Sequence, residues 1–210
     1  MCWPEPAGRV EIMLLVGLTG GIGAGKSTVS AGLAERGAVI VDADAIVREL
    51  QQPGTQVFAE MEQRFGPGIL GADGQLDRAA VADLVFTDAT ALADLGAIVH
   101  PRVHEEIARR IEEQTHTDSV VILDVPLLVE SGWEDLRGTI VVDLDPEVAI
   151  SRLIEFRGFS EQDARNRIAK QASRSERLSK ADFVIDNHGQ PHELDPKIEL
   201  AWAWIQSLAS

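Results

Sequence analysis

The chain has 210 residues, is 45% hydrophobic and 25% charged, and carries a formal net charge of −15. That composition belongs to a globular α/β protein with room for one core and an insertion. The acidic balance argues against nucleic acid or anionic membrane as partners, because both repel a negative surface. Cys2 is the only cysteine, so no disulfide within the chain is possible and a reducing, cytoplasmic location is expected.

Residues 1–12 read as a polar extension without the apolar stretch of a signal peptide, and are expected to be disordered. Met13 is a candidate second start site. The apolar run 12–18 is too short to cross a bilayer and reads as a strand. It leads into Gly20, Gly25, Lys26 and Ser27, which satisfy G-x-x-x-x-G-K-[ST], the phosphate-binding loop. Each residue type answers a chemical need. Glycines reach backbone angles that let successive N–H groups converge on one anion. The helix that follows points its positive end at the same place. The Lys26 ammonium suits β- and γ-phosphates, and the Ser27 hydroxyl suits Mg²⁺. The candidate nucleotide cradle is therefore Gly21, Ile22, Gly23, Ala24, Gly25, Lys26, Ser27 and Thr28.

A helix is expected over 26–36, stopped by Gly37, then a strand at 39–41 and a helix over 45–51 before Pro53-Gly54. Asp42 and Asp44 follow that strand, where ligands of open parallel sheets bind. Either carboxylate can take a proton from an attacking hydroxyl, and either can cap the next helix; spacing does not choose between them. Residues 55–116 carry helical patterns at 56–65, 76–86, 88–99 and 103–114, with a break expected at His100-Pro101. This reads as a helical insertion in a nucleotide-binding core. Strands are expected again at 120–123, 139–144 and 183–185, with helices from Pro146 and over 192–208. Apolar strands separated by helices imply a parallel sheet covered on both faces. Asp124, ending its strand, resembles the aspartate that holds Mg²⁺ beside a phosphate loop. Trp202 and Trp204 lie two apart in the last helix and cannot share a face.

Residues 151–180 differ in charge. They hold eight of the chain's 19 basic residues against four acids, a net +4. Guanidinium groups match phosphate oxygens well, so some of these arginines are expected to close over the nucleotide.

The motifs taken in order resemble the dephospho-CoA kinase family. They are GLTGGIGAGKSTV (17–29), VIVDADAIVREL (39–50), PGTQVF (53–58), the FG, IL, DG and LDR run (65–78) and VHPRV (99–103). DVPLLVESG (124–132), RLIEFRGFSEQDARNRIAKQ (152–171), Arg174-x-x-Arg177 and ADFVIDNHG (181–189) complete the set, over residues 13 to 208. The resemblance implies a P-loop kinase of three-layer α/β/α type with a parallel central sheet. It implies a core over 13–54 and 118–210, a helical CoA-side insertion over 55–117 and a mobile lid over 152–178. It also implies ATP and Mg²⁺ as cofactors and dephospho-CoA as substrate, phosphorylated on its ribose 3′-hydroxyl by a monomer. Asp44 becomes the base, Lys26 the phosphate lysine, and Arg157 and Arg174 the lid arginines. Asp77 and Arg78, in the LDR match, become acceptor-side residues; His100 is either an acceptor-side residue or a structural hydrogen-bonder at a helix junction, and Ser27 and Asp124 stay the candidate metal ligands. Arg102 departs from the leucine usual after the HP pair. The alternatives are another small-molecule or nucleoside P-loop kinase, or a nucleotide-switched binding module; no N-K-x-D guanine-reading motif is present.

Overall fold

The computed structural model describes residues 13–133 and 135–209. The extension at 1–12, expected to be disordered, and Trp3 within it lie outside the described residues. In chain order the elements are β1 (Leu14–Gly20), α1 (Lys26–Glu35), β2 (Val39–Asp42), α2 (Ala43–Leu50), α3 (Gln56–Phe65), α4 (Arg78–Thr87) and α5 (Ala89–Glu112). They continue with β3 (Val120–Asp124), α6 (Leu128–Ser131), β4 (Gly138–Asp143), α7 (Pro146–Arg157), α8 (Glu161–Ala169), α9 (Arg174–Ser179), β5 (Phe183–Asp186) and α10 (Leu194–Ser207). Among the described residues no helix is long and apolar enough to cross a membrane.

Strand alternation builds the sheet, whose order is β2-β3-β1-β4-β5. β1 runs parallel to β3 and to β4, and β4 parallel to β5. Leu14, Val16 and Leu18 of β1 join Ile122, Ile140, Val142 and Ile185 on one face. Val29 and Leu33 of α1 and Ile198, Ala201 and Ile205 of α10 seal that face. The opposite face is so tightly covered that a Cβ on Gly17 would lie 2.6 Å from the Leu128 side chain of α6 and 2.9 Å from that of Leu136. Burial on both faces explains why these strands read as near-continuous apolar runs. Trp204 stacks at 5.3 Å on Phe183 of the edge strand, while Trp202 also packs against the core.

Among the described residues, Asp42–Glu112 forms one compact unit, and those before and after it form the other. Within the helical unit α5 packs against α2, α3 and α4. Its core contains Ile46, Val57, Phe58, Met61, Val81, Val99, Val103 and Ile107.

Several element boundaries differ from the sequence-based expectations, among them those of α2, the closing helix and α5. α2 begins at Ala43 rather than 45, because the Asp42 carboxylate accepts the Ala45 N–H at 3.0 Å and starts the helix earlier. The closing helix begins at Leu194, after a 3₁₀ turn at Pro191–Glu193. The third difference is larger. No break occurs at His100-Pro101: α5 runs unbroken from Ala89 to Glu112 with Pro101 inside it. A mid-helix proline costs about 3 kcal/mol. Here the apolar stripe Val99, Val103 and Ile107 continues across it at four-residue spacing and is buried throughout. Burying three such side chains outweighs the loss at about 1.5–3 kcal/mol each. Pro101 itself is exposed, as is Ala97, whose carbonyl loses its helical partner and can turn to water.

Ion pairs fasten the end of α5. Arg110 bonds Glu106 at 2.7 Å and also reaches Glu49 of α2. Hydrogen bonding from Arg109, opposed by partial burial and helped by Arg110, holds the Glu106 carboxyl at about 2, below its ordinary 4.5. The depressed value fixes the sign of the linkage: the unfolded chain binds this proton first as pH falls. The Glu106 contribution is complete above pH 4.5 and is lost as pH drops toward 2. The Glu106→Gln variant should therefore be less stable than the parent at pH 6, with the gap narrowing by pH 3. Denaturant unfolding at the two pH values measures this, and a gap that is constant or widens would contradict it.

Candidate active site

The turn between β1 and α1 is built from the residues that the motif requires. Gly23 and Gly25 have φ of 80° and 89°, a region that disfavours side chains, and Gly25 is the residue that caps α1. The Ala24 N–H bonds the Gly21 carbonyl at 3.0 Å, which tightens the turn. The Ile22 N–H is held by the Gln171 side chain at 2.9 Å, and the Thr28 N–H by the Gly25 carbonyl at 3.1 Å. Among the described residues the N–H groups of Gly23, Gly25, Lys26 and Ser27 have no protein acceptor. These are the donors left for an anion at the positive end of α1. The Ser27 and Thr28 side chains are exposed at that end.

Lys26 forms an ion pair with Asp124. The carboxylate is almost fully buried at the end of β3, in register with Leu18 of β1, so the two strands deliver loop and acid to the same edge. Ser27 and Asp124 offer one hydroxyl and one carboxylate, hard oxygen donors that fit a small divalent cation retaining most of its waters. No cluster of three or more His, Cys, Asp or Glu side chains occurs among the described residues.

The basic segment divides into α7, α8 and α9, and its arginines have different surroundings. Arg174 makes two bonds to Asp143 at the end of β4, at 2.8 and 2.7 Å. This pairing holds the Asp143 carboxyl below its ordinary value against the effect of burial. Arg157 ends α7 and is exposed. Arg177 is buried, and a Cβ on Gly21 would lie 2.8 Å from its Nη2. Burial pulls the Arg177 guanidinium below its usual value, while Glu130 and Asp143 oppose that pull. With Gly21, Ile22, Ala149, Ile168 and Gln171 it lines a small crevice behind the loop.

In the helical unit, Asp42 caps α2 and lies 3.7 Å from Arg48. Asp44 stands in the first turn of α2, exposed and outside the cap. The Asp77 carboxylate caps α4, accepting the N–H groups of Ala79 at 2.9 Å and Ala80 at 3.0 Å. Arg78 donates to the buried Gln51 amide at 2.9 Å. His100 is exposed on α5, where a Cβ on Gly96 would lie 3.3 Å from its ring.

A sequence profile for dephospho-CoA kinase matches residues 14–193. The chain belongs to the dephospho-CoA kinase family. A dephospho-CoA kinase of Streptomyces avermitilis is 50% identical over 192 residues, 91% of this chain and 93% of that protein. The structure of TT1252 from Thermus thermophilus superposes with a TM-score of 0.76 at 32% identity, over 93% of this chain and 97% of that one. A dephospho-CoA kinase from Campylobacter jejuni shares the fold at a TM-score of 0.67 and 23% identity, over 92% and 97% of the two chains. The parallel sheet with flanking helices is thus the P-loop kinase fold, and membership in this family carries ATP binding with it.

Sequence reasoning singled out Lys26 and Asp124, and the structure pairs them. It did not single out Gln171, Asn187, Glu130 or Asp143, all of which touch the loop or the segment behind it. Places inside the RIAKQ, DNHG and PLLVE motifs marked Gln171, Asn187 and Glu130, and no motif marked Asp143. The Arg174–Asp143 pair offers a test that needs no catalysis. Arg174→Ala should lower the thermal midpoint by a few degrees, because it leaves a largely buried carboxylate without its cation. Adding Asp143→Asn should recover most of the loss. Calorimetry on the single and double variants checks this, and equal midpoints for parent and Arg174→Ala would reject it.

Proposed function

We propose that the protein transfers the γ-phosphoryl group of ATP to the ribose 3′-hydroxyl of dephospho-CoA, giving CoA and ADP, the last step of coenzyme A synthesis. The observation that carries this reading is a phosphate loop with four unclaimed amides and a lysine, in a chain that matches this kinase family along nearly its whole length. The loop amides and Lys26 hold the ATP phosphates. Asp44 accepts the proton of the 3′-hydroxyl as its oxygen attacks phosphorus. The bond from phosphorus to the ADP oxygen breaks, and its electrons leave with ADP.

Asp44 suits the role because Asp42 is already committed to the α2 cap. Arg157 and Arg174 neutralise charge on the transferring group, a contribution worth about 10³–10⁵ in rate where such an arginine has been removed. Asp143 aims the Arg174 guanidinium in the meantime. Ser27 and Asp124 are the ligands for Mg²⁺, which when bound offsets negative charge on the phosphates; Lys26 shields Asp124 otherwise. The helical unit, through Asp77, Arg78 and His100, receives the acceptor. The core is read as 13–54 with 118–210, the acceptor side as 55–117 and the lid as 152–178. Closure of that lid over bound substrates would keep water from the γ-phosphate. The enzyme is read as a monomer working in the cytoplasm.

A coupled assay for ADP release, with dephospho-CoA against a panel of nucleosides and sugars, tests the acceptor. Release that depends on dephospho-CoA alone supports the reading, and preference for another acceptor rejects it. Asp44→Asn should lower turnover by about 10²–10⁴-fold, the usual worth of a positioned base, while ATP affinity stays within about threefold. Near-normal turnover would remove Asp44 from this role. Lys26→Ala should lower kcat by at least about 10²-fold through lost stabilisation of phosphate charge. Steady-state rates at saturating ATP measure both.

A further inference from the structure

We infer that Gln171 and Asn187 are positioning residues that clamp the phosphate loop and aim its free amides at the nucleotide. The inference rests on the ATP reading above and asks how the loop keeps its shape. Its working donors, the amides of Gly23, Gly25, Lys26 and Ser27, must stay unbonded to protein, so they cannot brace it. The bracing falls to the remaining polar groups of the turn. Gln171 accepts the Ile22 N–H at 2.9 Å. Asn187 Nδ2 donates to the Ala24 carbonyl at 2.8 Å in a fully buried contact.

Peptide geometry turns these two bonds into directional control. In a planar trans peptide the C=O and N–H point opposite ways. Asn187 holds the Ala24 oxygen, so the Gly25 N–H in the same plane is turned away from Asn187, toward the side without protein acceptors. Gln171 holds the Ile22 N–H, so the Gly21 carbonyl points the other way, where it meets the Ala24 N–H at 3.0 Å. The Gly21–Ile22 and Ala24–Gly25 peptide planes, one before and one after Gly23, are therefore held from behind. Gly25 is required here for a second reason besides its φ of 89°: a Cβ would collide with Asn187 Nδ2.

Both clamp residues are themselves anchored. Beside Gln171, the Ala172 N–H donates to Glu130 of α6 at 2.6 Å, and the Ala172 carbonyl accepts from Arg177. The Asn187 N–H donates to the Asp143 carbonyl at 2.9 Å, and its carbonyl accepts Arg152 Nη2 at 3.0 Å. Both side chains are neutral amides, which brace the loop without repelling phosphate.

The test uses the full chain with Gln171→Ala and, separately, Asn187→Ala. ATP affinity is measured by calorimetry without acceptor, steady-state constants with dephospho-CoA, and exchange of the Ile22 amide by NMR. For Gln171→Ala we expect the ATP Kd and the KM for ATP to rise about five- to tenfold, the loss of one well-placed hydrogen bond. The kcat should fall less than threefold, the KM for dephospho-CoA should stay within twofold, and the Ile22 amide should exchange faster. ATP affinity within twofold of the parent, despite faster Ile22 exchange, would make the bond merely structural and overturn the proposal. Unchanged Ile22 exchange would overturn it as well. Asn187→Ala leaves a buried carbonyl without a donor and is the harsher change; if it does not fold, the half-buried Gln171 decides the matter. A parent that binds ATP but does not turn over dephospho-CoA would sink the kinase reading and leave the clamp to be judged on the Kd ratio alone.

Discussion

A phosphate loop lives under a contradiction. Several of its backbone N–H groups must be held without a protein partner, and an unpaired buried donor costs roughly 1–3 kcal/mol. Yet the same groups must not move. In this protein the amides of Gly23, Gly25, Lys26 and Ser27 stay open, and the groups between them are bonded: Ile22 N–H to Gln171, Ala24 N–H to Gly21, Ala24 C=O to Asn187. Everything around the loop serves that division. The loop leaves β1, a strand flanked on both sides, so its root cannot shift. Asp124 holds the lysine from the neighbouring strand, and Asn187 reaches in from beyond β5.

Charge is distributed by the same logic. The chain is acidic as a whole, yet the segment behind the loop is basic. Its arginines are not a loose cationic surface. Arg174 is held by a carboxylate at the end of β4, Arg177 is buried against the loop and bonded to Ala172, and Arg152 grips the Asn187 carbonyl. Arg152 and Arg177 thus use their charge to hold backbone around a site for an anion. Arg157, exposed at the end of α7, has a different setting.

The helical unit shows how tertiary packing overrides a local rule. Pro101 reads as a helix breaker, and α5 runs through it. The stripe of Val99, Val103 and Ile107 is buried as one surface, and the proline sits on the exposed side, where the freed carbonyl of Ala97 has water available. Asp42 and Asp44 show the reverse case. Spacing left them equivalent, and a single capping bond from Ala45 separates them.

The sequence by itself determined the parallel sheet, the phosphate loop and the family, because each is written in contiguous residues. Each strand is a short, nearly continuous apolar run, a glycine turn spans eight positions, and ordered motifs can be counted along the chain. Lys26 and Asp124 were legible for the same reason, each standing inside a short motif. The tertiary structure alone decided what holds the loop. Gln171 lies 149 residues from Ile22, and Asn187 lies 163 from Ala24. A side-chain amide carries no signature of a partner that distant. Its bond exists only after β4, β5 and the helices between them have folded back beside β1.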